Sequence, residues 1–421
     1  MSIAFDPFSA EWRRDPYPVY RQLRDEAPIH QAPESGIWCV SRYDDVHHVL
    51  THPELFSSRA MFTLLMNGGQ EGPPPLTARG VVGLVRFLLA VRMHPGGFRS
   101  ARNLISVDGD AHASMRNVVN RGFTPRRVAS WENRIGELVA ACMAKLERGE
   151  PFDLVRDLAI PLPTTIIAEM VGVETERLAD FKRWSDAVIH NATGPGRAEP
   201  FNTSFMRELR GLFGYLRGAI ARRRAEPGDD LISTILAEQE GDVALSQHEV
   251  AMFVVLLIIA GNETTTNLIG NAVKALLANP AELERVCDDP GLVPGLVEEV
   301  VRYDAPVQMV FRNTVSEVEI AGVRVPEGAF VAAMLGSANR DERRFEDPDR
   351  FDVGRNPQGH LGFGFGKHFC LGASLARLEA KLALEALVPE LPRLESRGPD
   401  AELIESFLVR GPSRLELQPA A

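Results

Sequence analysis

Cysteine is scarce in this chain. The four present, Cys39, Cys142, Cys287 and Cys370, are too far apart for a disulfide framework or a cysteine-ligated cluster, which points to a reducing compartment. Met1 to Pro18 carries charges and prolines where a signal peptide needs an apolar core. No apolar run reaches the roughly 20 residues that cross a bilayer, so stable membrane insertion is not expected and the protein is expected to be cytoplasmic. Positive charge is in deficit: 46 basic against 57 acidic side chains leave a net charge of −11, which excludes a nucleic-acid-binding role. Ser/Gly linkers, low-complexity tracts and internal repeats are also lacking, so residues 1–421 are expected to form one large domain, most simply a monomer.

What is there reads as mainly α with a small β region. Tyr17 to Glu26 and Asp44 to Leu50 carry helical patterns, and Ile37 to Val40 reads as a strand. His47 and His48 fall in the second helix and are assigned no role. Residues 60 to 107 are irregular except for the apolar stretch Val81 to Met93, which reads either as a packed helix or as a mobile flap over a pocket. From Pro125 to Glu240 the pattern is helical, broken near Gly194-Pro195-Gly196. Ser246 and Glu249 then form a capping box, and apolar periodicity runs on to Asn279-Pro280, a helix of about 33 residues and about 50 Å. Ala251 to Ala260 is apolar on every side, which marks this helix as central and buried. Glu317 to Val325 and Phe330 to Met334 read as short strands, and Phe407 to Leu417 as a hairpin around Gly411-Pro412.

Phe363-Gly364-Phe365-Gly366-Lys367-His368-Phe369-Cys370-Leu371-Gly372 presents a cysteine between a glycine-rich loop and the helical pattern that starts at Ala373. A helix N-terminus favours the thiolate through its dipole and unpaired N–H groups, and the glycines let the backbone approach a flat macrocycle. Alone, such a cysteine reads more readily as a small buried hydrophobe. The ten-residue run, however, resembles the signature of the cytochrome P-450 family of haem-thiolate monooxygenases. The resemblance implies haem b as cofactor, Cys370 as the iron ligand, Phe363 beside the sulfur, and Gly372 at the start of the following helix.

Further segments extend the resemblance. Ala260-Gly261-Asn262-Glu263-Thr264-Thr265 interrupts the apolar run of the central helix and resembles the family's oxygen-activation segment. Ala260 leaves room for a ligand, Glu263 and Thr264 match the acid and alcohol that deliver protons, and the hydroxyl is able to open the helix locally. Glu299 and Arg302 stand at i, i+3 and match the family's buried Glu-x-x-Arg pair, with Arg350 as the expected third member. His112, Arg116, Arg312 and His368 match cationic contacts to the haem propionates. The implied substrate pocket draws on Val255, Ile259, Ala260, Met309, Val310 and Phe407, which suits a hydrophobic small molecule.

The function implied is hydroxylation of a C–H bond, or oxidation of a double bond, with O2. Only 51 residues follow Cys370, so no fused reductase is expected, and electrons are expected from a ferredoxin or flavodoxin with its NAD(P)H-dependent reductase. Arg121, Arg126, Arg127 and Lys367 are candidate docking charges. A peroxide-driven peroxygenase and a non-catalytic haem or partner-recruiting protein are the alternatives. The presence of Glu263, Thr264 and Cys370 speaks against both.

Overall fold

The computed structural model describes residues 3–61, 78–91, 103–193, 203–237, 245–396 and 402–419. The chain divides into two compact units. One comprises Met1–Phe56, Pro125–Pro163 and Asn262–Ala421, and the other Ser57–Thr124 and Thr164–Gly261.

In the first unit the N-terminal helix, Tyr17–Glu26, turns Val19, Tyr20 and Leu23 inward. The helix Tyr43–Thr51 carries Asp44 and Asp45 in its first turn, where they complement the dipole, and buries Val46, Val49 and Leu50. Both flank a mixed sheet with the strand order Ile29–Gln31, Trp38–Val40, Phe330–Ala333, Val310–Thr314, Phe56–Ser57. Trp38–Val40 runs parallel to Phe330–Ala333, and the latter pairs antiparallel with Val310–Thr314. Every residue of Phe330–Ala333 is buried, as a central strand requires. Glu317 to Val325 is a hairpin of Val318–Ile320 and Val323–Val325. Its two-residue turn, Ala321-Gly322, has φ of 48° and 78°, which closes it with the twist that antiparallel strands favour.

The C-terminal hairpin differs from expectation. Pro412–Arg414 pairs with Glu402–Leu403, and Glu416–Pro419 pairs instead with Phe152–Asp153 and Leu394–Ser396. Gly411-Pro412 therefore ends a longer loop that includes Phe407. The reason is that Leu415 and Leu417 bury against a sheet made by distant segments, which a local pattern does not reveal.

In the second unit, Val81 to Val91 belongs to a helix, Ala78–Val91, while Arg92 and Met93 lie outside the described residues. This helix buries Phe87, Leu88 and Val91, and the Val91 carbonyl accepts from Arg217 of the helix Thr203–Ala225 at 3.0 Å. The rest of the 60–107 stretch lies largely outside the described residues, as does the Gly194-Pro195-Gly196 break after the helix Leu178–Thr193. That helix packs on Thr203–Ala225 through Trp184 and Tyr215, whose ring centroids are 5.6 Å apart.

The central helix, Gln247–Ala278, opens on the expected capping box: the Ser246 amide donates to Glu249 Oε2 at 2.8 Å, and the Glu249 amide donates to Ser246 Oγ at 3.2 Å. It is long and apolar enough to cross a membrane, yet 61% of its most apolar window is buried inside the protein, as befits a core helix. The helical assignment runs through Ala260–Thr265.

Candidate haem-thiolate site

The first unit holds Glu263, Thr264, Met309, Val310, Arg312, Phe363, His368, Cys370, Gly372 and Phe407, and the second holds His112, Arg116, Val255, Ile259 and Ala260. Within the first, the cysteine loop is fixed from two sides. Gly362 presses on the Glu-x-x-Arg helix, Val293–Tyr303, so closely that a β-carbon there would lie 2.6 Å from the Val301 carbonyl oxygen. Gly366, at φ 70°, packs on the helix Tyr43–Thr51, where a β-carbon would meet the Leu50 carbonyl at 2.9 Å. Both glycines are thus required by close approach. The His47 ring lies 4.5 Å from that of Phe365 and braces the same side.

The Cys370 amide donates to the Phe363 carbonyl at 2.9 Å, which sets the two residues side by side. Cys370 is half-buried, and Gly372 caps the helix Ala373–Leu387 that follows. Cys39, by contrast, is buried and its thiol is pushed far above its ordinary range by desolvation, and burial also raises Cys142 and Cys287. Among the four, Cys370 has the setting of a ligand: a loop at a helix start, with partial access.

The central helix is less covered at its middle. Val254, Val255 and Ile258 are buried, as are Thr265 and Leu268, but Ile259, Gly261, Glu263 and Thr264 are only partly covered and Ala260 is exposed. A small residue followed by an acid and an alcohol on the less covered stretch of an otherwise buried helix would leave room for a flat cofactor. Arg312 is buried with its guanidinium donating to the Phe311 carbonyl at 2.9 Å, and His368 is half-buried in the cysteine loop. His112 is buried in the helix Gly109–Asn120, and Arg116 donates to Asn120 Oδ1 at 3.1 Å. Within the first unit, a half-buried thiol at a helix start together with two cationic side chains, Arg312 and His368, is a donor set that fits haem. Met309 and Phe407 are among the residues that line one small cavity of about 30 Å³.

The buried pair is as expected, and its third member is not. Arg302 donates to both Glu299 oxygens at 2.8 Å, and both side chains are fully buried. Its Nη1 also donates to the carbonyls of Asn339 and Pro348, at 3.0 and 2.8 Å. Arg350 contributes only its carbonyl; its side chain is 63% exposed and pairs with Asp352. The third member is Arg355, whose Nε donates to Glu299 Oε1 at 3.2 Å. Asp347, at φ 43°, begins a turn in which the Arg350 amide donates to its carbonyl at 3.0 Å, and Arg355 follows this turn.

Two further groups escape a reading by spacing. Glu298, next to Glu299, accepts from Arg377 at 2.6 and 3.0 Å and bonds His360 at 2.9 Å. Burial pushes its carboxyl up, but the bonds from His360 and Arg377 outweigh this and hold it down at about 2. Glu379, on the helix after the cysteine, is fully buried with a bond from Thr265, and desolvation pushes its carboxyl up to about 8.

The cytochrome P450 family profile matches residues 291–418, which span the Glu-x-x-Arg helix, the cysteine loop and the C-terminal strands. The vitamin D(3) 25-hydroxylase of Pseudonocardia autotrophica is 36% identical over 97% of this chain and 95% of its own length. The chain belongs to the cytochrome P450 family. Among solved structures, the cytochrome P450 CYP109Q5 from Chondromyces apiculatus superposes with a TM-score of 0.84 at 37% identity, covering 99% of this chain and 98% of that one. The Bacillus megaterium cytochrome P450 CYP109E1 in complex with testosterone superposes at 0.81 with 33% identity, covering 97% of this chain and all of that one. The P450 fold, haem b as cofactor and the monooxygenase class follow from this membership.

Proposed function

We infer that this P450 hydroxylates a hydrophobic small molecule of about steroid size. The observation that carries the reading is Cys370, half-buried at a helix start and bonded through its amide to Phe363 in a loop fixed from both sides. Haem b, when bound, supplies the redox-active iron and the oxidising power for C–H hydroxylation. Cys370 ligates that iron as thiolate. Arg312 and His368, with His112 and Arg116, neutralise the two propionates, whose burial without cations would cost several kcal/mol each. Glu263 and Thr264 hold and pass protons on the oxygen side, and the apolar side chains of Val255, Ile259, Met309, Val310 and Phe407 exclude water and orient the substrate.

The steroid-size class is supported by the names of the two relatives, a vitamin D(3) hydroxylase and a testosterone-bound P450. The two units are read as one catalytic domain because the hydroxylase is similar over nearly its whole length. Electrons come from a ferredoxin or flavodoxin with its NAD(P)H-dependent reductase. Arg126 and Lys367, both exposed, suit an acidic donor, an attraction that weakens as salt rises.

Thr264→Ala tests the proton role. The variant should retain haem and substrate binding but lose about tenfold or more in product formed per NAD(P)H consumed, since a positioned proton donor contributes roughly 10²–10⁴-fold. Unchanged coupling, measured as product against NAD(P)H oxidation, would remove Thr264 from the mechanism.

A further inference from the structure

The Glu-x-x-Arg helix uses two neighbouring acids in two directions. Glu299 holds Arg302 and Arg355. Glu298 holds Arg377, in the second turn of the helix after the cysteine, through a bidentate pair of the strong fork-to-carboxylate kind. The guanidinium so held sits over the face of Phe363, with its carbon 4.3 Å from the ring centroid. At that range a cation and an aromatic face attract. His360, only 7% exposed, closes the arrangement: its Nε2 meets Glu298 Oε2 at 2.9 Å, and its Nδ1 accepts from the Gly362 amide at 3.3 Å. The chain from Glu298 thus runs through Arg377 and His360 to Phe363, and the Phe363 carbonyl accepts the amide of Cys370.

We propose that Arg377 is a positioning residue for the thiolate: clamped by Glu298, it fixes the Phe363 ring and sets a permanent positive charge beside the cysteine loop, which moderates the electron donation of Cys370 sulfur. A partly exposed ion pair contributes about 1 kcal/mol or less, while the stacking of this one on Phe363 is directed at one ring. A cation near a thiolate-ligated iron favours the reduced state, which carries one more negative charge, and Glu298 partly cancels that cation. Charge and clamp therefore make opposite predictions for the two partners.

The inference rests on Cys370 being the iron ligand, so the wild-type protein must first show the thiolate spectrum, whose absence would refute the ligand assignment itself. The experiment is spectroelectrochemical titration of haem-bound wild type, Arg377→Met, Arg377→Lys and Glu298→Gln. Arg377→Met should lower the midpoint potential and Glu298→Gln should raise it, each moving the reduction equilibrium about three- to tenfold, where tenfold is about 59 mV for one electron. Arg377→Lys, which keeps the charge, should stay nearer wild type than Arg377→Met. A purely structural pair would shift both losses in the same direction. Shifts of one sign, or a haem-replete Glu298→Gln protein with unchanged or lower potential, would overturn the proposal. Glu298→Gln decides the matter alone if Arg377→Met fails to take up haem.

Discussion

Arg302→Ala is expected to give a protein that neither reaches normal stability nor retains haem. The change leaves Glu299 fully buried with Arg355 as its one remaining cation among the described residues, and deprives the Asn339 and Pro348 carbonyls of their Arg302 donor. Breaking such a pair costs about 3–5 kcal/mol, a large part of the roughly 5–15 kcal/mol that holds a domain together. Glu299→Ala should be as damaging, because it strands Arg302 and also removes the acceptor of the Asp352 amide at 3.1 Å. The corrected third member gives the internal control. Arg355→Ala should lower the unfolding midpoint and haem content measurably, whereas Arg350→Ala, on an exposed side chain, should change stability by no more than about 0.5 kcal/mol. Equal effects at 350 and 355 would contradict the geometry.

Glu379→Gln is expected to make the protein more stable at alkaline pH. The Glu379 carboxyl has an ordinary value of 4.5, and burial pushes it up to about 8 in the folded chain. Between those values the unfolded chain has released the proton and the folded chain still holds it. The folded state therefore binds more protons, and stability falls as pH rises. This contribution is complete below about pH 4.5 and is lost once the pH passes about 8, on the order of 5 kcal/mol in all. Glutamine keeps an acceptor for Thr265 and carries no titrating proton. Urea unfolding at pH 5.5, 7 and 8.5 should show the variant's advantage growing with pH; parallel curves would mean that Glu379 is not a buried neutral acid.

The parts of this fold that the sequence exposes are those written in local chemistry. A capping box, an apolar helix ended by Asn279-Pro280 and a glycine-rich loop before a cysteine each carry their own physical reason, and each recurs in the structure where it was expected. Glu299 and Arg302 were legible because i, i+3 spacing forces them onto one face. Arg355 was not, because it meets Glu299 from 56 residues away. Glu298 was hidden by its neighbour: it points to partners 62 and 79 residues away, which no window contains. Glu379 left a trace, since it interrupts the buried stripe of Leu375, Ala383 and Leu387, and an acid on such a stripe signals a partner on a facing element. The C-terminal strands were misassigned because Leu417 finds its neighbours in Phe152 and Ser396.

The central claim, that Cys370 alone among the protein's side chains ligates haem iron, is tested most directly by the absorption spectrum of the reduced, carbon-monoxide-treated protein. Wild type should give the red-shifted Soret band of a thiolate ligand, Cys370→Ala should lose it entirely, and alanine at Cys39, Cys142 or Cys287 should leave it intact. A normal thiolate band in Cys370→Ala, or its loss on changing any of the other three with haem still bound, would contradict the account.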